Sequence, residues 1–193
     1  AELADLHGGD HCRPQSLAGQ KQDRRKKASE AMQLLKEAQV ALARLVRDVN
    51  NSIRARVVLL PANSAGDNII FHAEGGDVVL PLLRQQKDGE ECLSLSDFVK
   101  PCGTDYVGAF AVTAGRGIEE IISGYQQTDD FKALLYQSLS DRLAEAATEL
   151  LHVRVRREVW GYAPDERIDR QRALRAQYRG IRPAAGYPSL PDH

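Results

Sequence analysis

The residues with the most concentrated chemistry lie near the C-terminal end. The segment Arg182-Pro183-Ala184-Ala185-Gly186-Tyr187-Pro188 combines a guanidinium, two ring-locked prolines, a glycine free to take positive φ and a tyrosine. Arg182 offers a planar fork of donors that suits a carboxylate, and Tyr187 offers an aromatic face with a hydroxyl. The small side chains of Ala184 and Ala185 leave the backbone N–H and C=O groups unobstructed. A loop with these properties could hold an amino-acid-like ligand; the other reading is a Pro-rich surface tail packed by Tyr187.

A second constellation is Asp141, Glu145, Glu149 and His152, whose spacings of four, four and three place them near one face of a helix. Like charges four apart repel by roughly 0.2–0.5 kcal/mol per pair, so something cationic is expected opposite. Two readings fit: an acidic wall facing a cationic ligand, or a solvated face paired with Arg142, Arg154, Arg156 and Arg157. Arginines and lysines also cluster at 24–27, at 154–157 and at 167–182, but acids interleave with the latter two sets and aromatics are only 6% of residues. That combination argues against stacking on nucleic acid bases.

Other chemistry is missing from the motifs. No G-x-G-x-x-G follows a strand, and there is no P-loop, H-E-x-x-H or G-x-S-x-G. His11-Cys12 is the one adjacent pair of soft ligands, and nothing completes the four-ligand set of a structural zinc. Three cysteines, an odd and low count, suit a reducing compartment rather than a disulfide scaffold. With 26 basic and 27 acidic residues the net charge of -1 excludes a strongly basic nucleic-acid binder and an acidic solvating tail. The apolar runs at 57–60 and 109–112 are far too short to span a bilayer, and no secretory signal pattern opens the chain.

The elements that must position these residues follow from periodicity. Residues 1–27 show no apolar period and read as a poorly ordered segment. From Ala31 the sequence Ala31, Leu34, Leu35, Ala38, Leu42, Leu45, Val46, Val49 predicts an amphipathic helix, stopped by Asn50-Asn51-Ser52. A β-rich middle follows, with strands at 56–60, 68–72, 78–80 and 106–113, and turns at 61–67 and Gly75-Gly76. Gly108 inside the last strand marks a bulge or a close backbone approach. Asp129-Asp130 caps a long helix reaching about Trp160, with Leu135, Leu139, Leu143, Ala146, Leu150 and Val153 as its buried stripe. A shorter helix is predicted over 169–178, stopped by Gly180. The fold class is therefore α+β: a mainly antiparallel sheet flanked by long helices, ending in an irregular Pro/Gly-rich loop.

These motifs together resemble the C-terminal reactivation domain of cobalamin-dependent methionine synthase. The resemblance rests on Arg182-Pro183-Ala184-Ala185-Gly186-Tyr187-Pro188 with Pro191-Asp192-His193, on Asp141 to Ala146 with Leu151-His152 and Arg154, and on Trp160-Gly161-Tyr162-Ala163-Pro164. It extends to Asp105 through Thr113, Pro61-Ala62-Asn63 with Gly66-Asp67, Arg84-Gln85-Gln86, and Ser96-Asp97-Phe98-Val99 with Pro101. Ala185 stands where the family motif has a second proline, and no Asp-Trp pair precedes Ser16. The resemblance covers 28–193 and implies a partial copy of the domain, incomplete at both ends.

It further implies a function. In the family, S-adenosylmethionine and an electron from a flavodoxin-type or flavoprotein donor convert cob(II)alamin to methylcobalamin. By resemblance, Arg182 pairs with the ligand carboxylate, the backbone of Ala184, Ala185 and Gly186 contacts the ligand with Tyr187 beside it, and Glu145 faces its cation. No catalytic residue and no metal ligand is implied. The implied partners are the cobalamin-binding domain, which carries the cobalamin, and the reductant; nucleic acid and membrane are not among them. The resemblance places the chain in methionine biosynthesis in the cytoplasm, as part of a methyltransferase, and implies that this chain alone is inactive and binds S-adenosylmethionine weakly or not at all. The alternative is a non-catalytic orphan copy that serves as a binding module for a corrinoid protein.

Overall fold

A computed structural model describes residues 17–47, 53–115, 117–187 and 189–190. His11-Cys12, the stop at Asn50-Asn51-Ser52, Pro188 and Pro191-Asp192-His193 lie outside the described residues. The chain divides into two units, 1–49 and 50–193.

In the first unit a single helix, α1, spans Leu17–Arg47. It begins fourteen residues before Ala31, so 17–27 are helical rather than irregular. The reason is that apolar period reports a buried face, not helicity. The stretch before Ala31 is rich in Gln, Lys, Arg, Glu and Ala, all good helix formers. It is laced by the i,i+4 pair Asp23–Lys27 at 2.8 Å and by Lys26–Glu30 at 3.9 Å. Of the predicted stripe, Leu34, Leu35 and Val46 are exposed.

The second unit is built on a four-stranded antiparallel sheet in the order β3-β2-β1-β4, with β1 at Arg54–Ala65, β2 at Asn68–Ala73, β3 at Gly76–Pro81 and β4 at Tyr106–Thr113. β1 is longer than the predicted strand, because it runs through Pro61 instead of turning there. Its first part pairs with β4, ending at Pro61↔Tyr106, and its last part pairs with β2 from Ala62↔Phe71 onward. The missing N–H of Pro61 therefore falls where the ladder changes partner. Ala62, Ile69, Leu82 and Val99 form a buried cluster, against which Phe71, Leu80, Val107 and Leu190 pack. Leu190 thus ties the end of the chain's last loop to the sheet.

Among the described residues of this unit are a 3-10 turn at Leu95–Phe98 and three α-helices: α2 at Gly117–Tyr125, α3 at Asp130–Arg154, continued by a π turn over Val155–Val159, and the short α4 at Arg170–Leu174. The Asp129 side chain accepts from Lys132 N at 3.0 Å, the predicted cap. α2 and α3 pack through Ile118, Ile122, Ala133 and Tyr136, with Tyr125 stacked on Tyr136 at 5.6 Å. The predicted stripe of α3 is correct only in part: Leu150 points outward and His152 is buried. α4 stops at Leu174, well before Gly180, because Ala176 itself takes positive φ (51°) and Gln177 N bonds back to Arg172 O at 2.9 Å. This is a helix ending of the Schellman type without glycine.

Gly108 marks a close approach and no bulge: the β1–β4 register is unbroken, and a Cβ there would meet Leu59 Cδ2 at 3.1 Å and Trp160 Cζ3 at 3.2 Å. Gly108→Val is expected to cost about 1–3 kcal/mol through overpacking. Trp160 is the chain's sole tryptophan, so a shifted emission maximum together with a lowered melting temperature would report the displaced indole. Unchanged emission and melting would disprove the close packing.

Candidate functional site

The loop that follows α4 is pinned at both ends. Before Arg182, Arg179 Nη1 donates to Tyr162 O at 3.1 Å and the Tyr162 hydroxyl donates to Arg179 O at 3.2 Å. After it, Gly186 N bonds Leu190 O and Leu190 N bonds Tyr187 O, both at 2.9 Å, closing a tight turn whose Leu190 packs on the sheet core. Gly186 sits at φ +87°, a conformation that costs other residues strain, so its glycine is a structural need. Its N–H is committed to the turn and unavailable to a ligand. Ala184 and Ala185 make no backbone hydrogen bond among the described residues, and Tyr187 is largely exposed.

Between these pins Arg182 reaches α3, and its Nη2 donates to Glu149 Oε1. The C-terminal loop and the acidic face of the long helix therefore do meet. The carboxylate that Arg182 contacts is Glu149, one turn on from Glu145. Glu145 is largely exposed and paired with Arg142 Nη1 at 2.8 Å, and Asp141 accepts from Gln137 at 3.1 Å. Asp141 and Glu145 thus have partners on their own helix, and Glu149 is the member of the row that meets the loop. Arg182 Nη1 is buried and has no hydrogen-bond acceptor among the described residues. A buried charged donor without a hydrogen-bond partner is costly, and His152 Nδ1 and Arg156 Nη2 on the next turn are likewise buried without one among the described residues.

The next turn of α3 adds His152 and Arg156, both named in the row and its partners above, in a buried setting that hydropathy does not signal. His152, 4% exposed, lies edge-on to Tyr178 at 4.8 Å and stacks toward Phe110 at 6.4 Å. Arg156, 1% exposed, lies over the Tyr178 ring at 4.5 Å, and its Nε donates to Glu166 Oε2 at 2.7 Å. Glu166 Oε1 accepts from Arg179 N at 3.1 Å, so the same carboxylate also fixes the start of the site loop. A cavity of about 390 Å³ opens beside this pair, lined by Arg156, Arg157, Glu166 and Arg167 with Val153 and Ile168. The signal available in the sequence was the i,i+4 pair His152 and Arg156 continuing the row from Glu149.

Burial, reinforced by the charges of Arg156 and Arg182, lowers the pKa of His152 from 6.5 to about 4. The ring is therefore neutral at pH 7. In the unfolded chain it takes up a proton near pH 6.5, while the folded chain does so only near 4. Stability contributed by the neutral ring is full above pH 6.5 and is lost as pH falls toward 4, by about 3 kcal/mol. Urea unfolding at pH 7 and pH 4.5 should show this loss in the parent chain and a smaller one in His152→Gln. Equal losses in both would refute it.

Fold and site define an α+β domain with an arginine fork on a pinned loop, a helix carboxylate opposite it and, among the described residues of that loop, no nucleophile–base pair. Over residues 14–193 the chain matches the family described as vitamin B12 dependent methionine synthase, activation domain. The chain belongs to this family. The match begins ahead of residue 28, where the motifs place the start of the domain. Among solved structures, the crystal structure of the MetH reactivation domain bound to AdoHcy is similar, with a TM-score of 0.77 and 40% identity over 84% of this chain. The chain covers 53% of that protein, about half its length. The α+β fold class read from the sequence is that of this relative.

Proposed function

We propose that this chain holds S-adenosylmethionine for the reductive methylation of cob(II)alamin to methylcobalamin, as the reactivation domain of a B12-dependent methionine synthase. The observation that carries the reading is the buried Arg182 Nη1, without an acceptor among the described residues, on a pinned loop that meets Glu149 of α3. An α-carboxylate fits that nitrogen, and a sulfonium fits a neighbourhood containing Glu149 and Glu145. The solved relative is bound to AdoHcy, which has the same amino-acid and nucleoside parts and lacks the methyl group. S-adenosylmethionine, when bound, supplies the methyl group; the residues of this chain bind and orient it.

In this reading Arg182 takes the carboxylate, Ala184 and Ala185 offer backbone groups, Gly186 keeps the turn, Tyr187 lies alongside and Glu145 faces the cation. Cobalamin belongs to the cobalamin-binding domain of the synthase, and the electron to a flavodoxin-type or flavoprotein reductant in the cytoplasm. The chain by itself then carries out no methyl transfer. Isothermal titration with S-adenosylmethionine and AdoHcy tests the reading: saturable one-to-one binding of both is expected, and no heat with either would overturn it.

A further inference from the structure

We infer that Glu149 is a positioning residue for ligand binding: it holds Arg182 by one nitrogen so that the other, Nη1, is presented to the ligand carboxylate. This rests on the reading of Arg182 above. The observations are geometric. Glu149 engages Arg182 through Nη2 alone, whereas a surrogate for the ligand would fill both arms of the fork. Nη1 stays buried and without a partner among the described residues, although a carboxylate sits on the same guanidinium. The backbone of Arg182 is already fixed by the Arg179–Tyr162 bonds on one side and the turn at Gly186 and Leu190 on the other. What remains free is the long side chain, which loses substantial rotamer entropy when ordered. Glu149 stands on α3, a rigid element of 25 residues, and removes that freedom in advance. Glu145, paired with Arg142, does not do so.

A positioning role through Arg182 makes a selective forecast. Affinity for AdoHcy, which has a carboxylate, should fall about tenfold in Glu149→Ala. Affinity for 5′-methylthioadenosine, which shares the thionucleoside and has no carboxylate, should stay within about twofold. Glu149→Gln keeps an acceptor oxygen at the same place and should stay within about threefold of the parent for AdoHcy. In an Arg182→Ala background, Glu149→Ala should change AdoHcy affinity no further, since its effect runs through that arginine.

The experiment is isothermal titration of the full chain and these variants with both compounds, with thermal melts to confirm folding. Glu149→Ala binding AdoHcy as well as the parent, or better, overturns the inference. So does an equal loss for both compounds, which would mark a merely structural role, and so does a Gln variant as weak as the Ala variant. If AdoHcy affinity is unmoved by Arg182→Ala, or the parent chain does not bind AdoHcy, the proposed function fails and this inference fails with it.

Discussion

Glu166→Ala is expected to lower the unfolding free energy by about 3–5 kcal/mol, the cost of leaving a buried charge without its partner. Arg156 is 1% exposed, so when the carboxylate is removed its guanidinium meets water only through the adjoining cavity. Its contact with the Tyr178 ring remains, but a ring face replaces only part of an ion pair. The backbone N–H of Arg179 loses its acceptor as well, which loosens the loop leading to Arg182. For a chain of this size the melting temperature should drop by about 10 °C. A double variant, Arg156→Met with Glu166→Met, should recover much of the loss, because removing both charges restores an apolar match. A loss under about 1 kcal/mol in Glu166→Ala would show the pair to be hydrated, and would end the claim that it anchors the site.

The same pair shapes the acid response. Burial works against ionisation of Glu166, but the hydrogen bonds from Arg156 and from Arg179 N outweigh it and hold its carboxyl below the ordinary value. Its contribution is present above the unfolded carboxyl range and is lost as pH falls through the lower folded value. His152 loses its contribution at higher pH, between 6.5 and about 4. Acid unfolding should therefore proceed in that order, with His152 first.

Arg182→Ala is expected to weaken AdoHcy binding about ten- to a hundredfold while leaving stability within about 1 kcal/mol of the parent. The first figure follows from charge-assisted hydrogen bonds worth roughly 1.5–3 kcal/mol each, where two decades in affinity correspond to about 2.7 kcal/mol. The second follows because the Arg182–Glu149 pair is partly hydrated, with 21% and 39% of the two side chains exposed. Removing the arginine also removes the unsatisfied Nη1, an offsetting gain to the fold. Titration and urea unfolding on the same protein separate the two effects. AdoHcy affinity within threefold of the parent would place the carboxylate elsewhere and overturn the residue assignment.

Much of this architecture was determined locally and was legible in the sequence. Asp129 caps α3 because its side chain reaches only three residues along the same chain. β4 follows from the apolar, β-forming stretch at 106–113, and Gly108 announced a close approach that Trp160 fulfils. The residues from Arg182 to Tyr187 stood out because their types carry their own chemistry, and the structure places them on a pinned loop that meets α3. Local signals also misled where their physical meaning was narrower than assumed. The absence of apolar period before Ala31 said that no face was buried there, yet helix formers and i,i+4 pairs make α1 begin at Leu17. Pro61 looked like a turn because its missing donor is costly inside a sheet; only the exchange of β4 for β2 at that residue removes the cost. Tertiary structure alone decided which carboxylate meets the arginine, since Arg182 and Glu149 are 33 residues apart. It also decided that Leu150 faces outward and His152 inward. Hydropathy ranks a residue by its average environment, whereas His152 and Arg156 are buried by particular partners: the rings of Phe110 and Tyr178 and the carboxylate of Glu166.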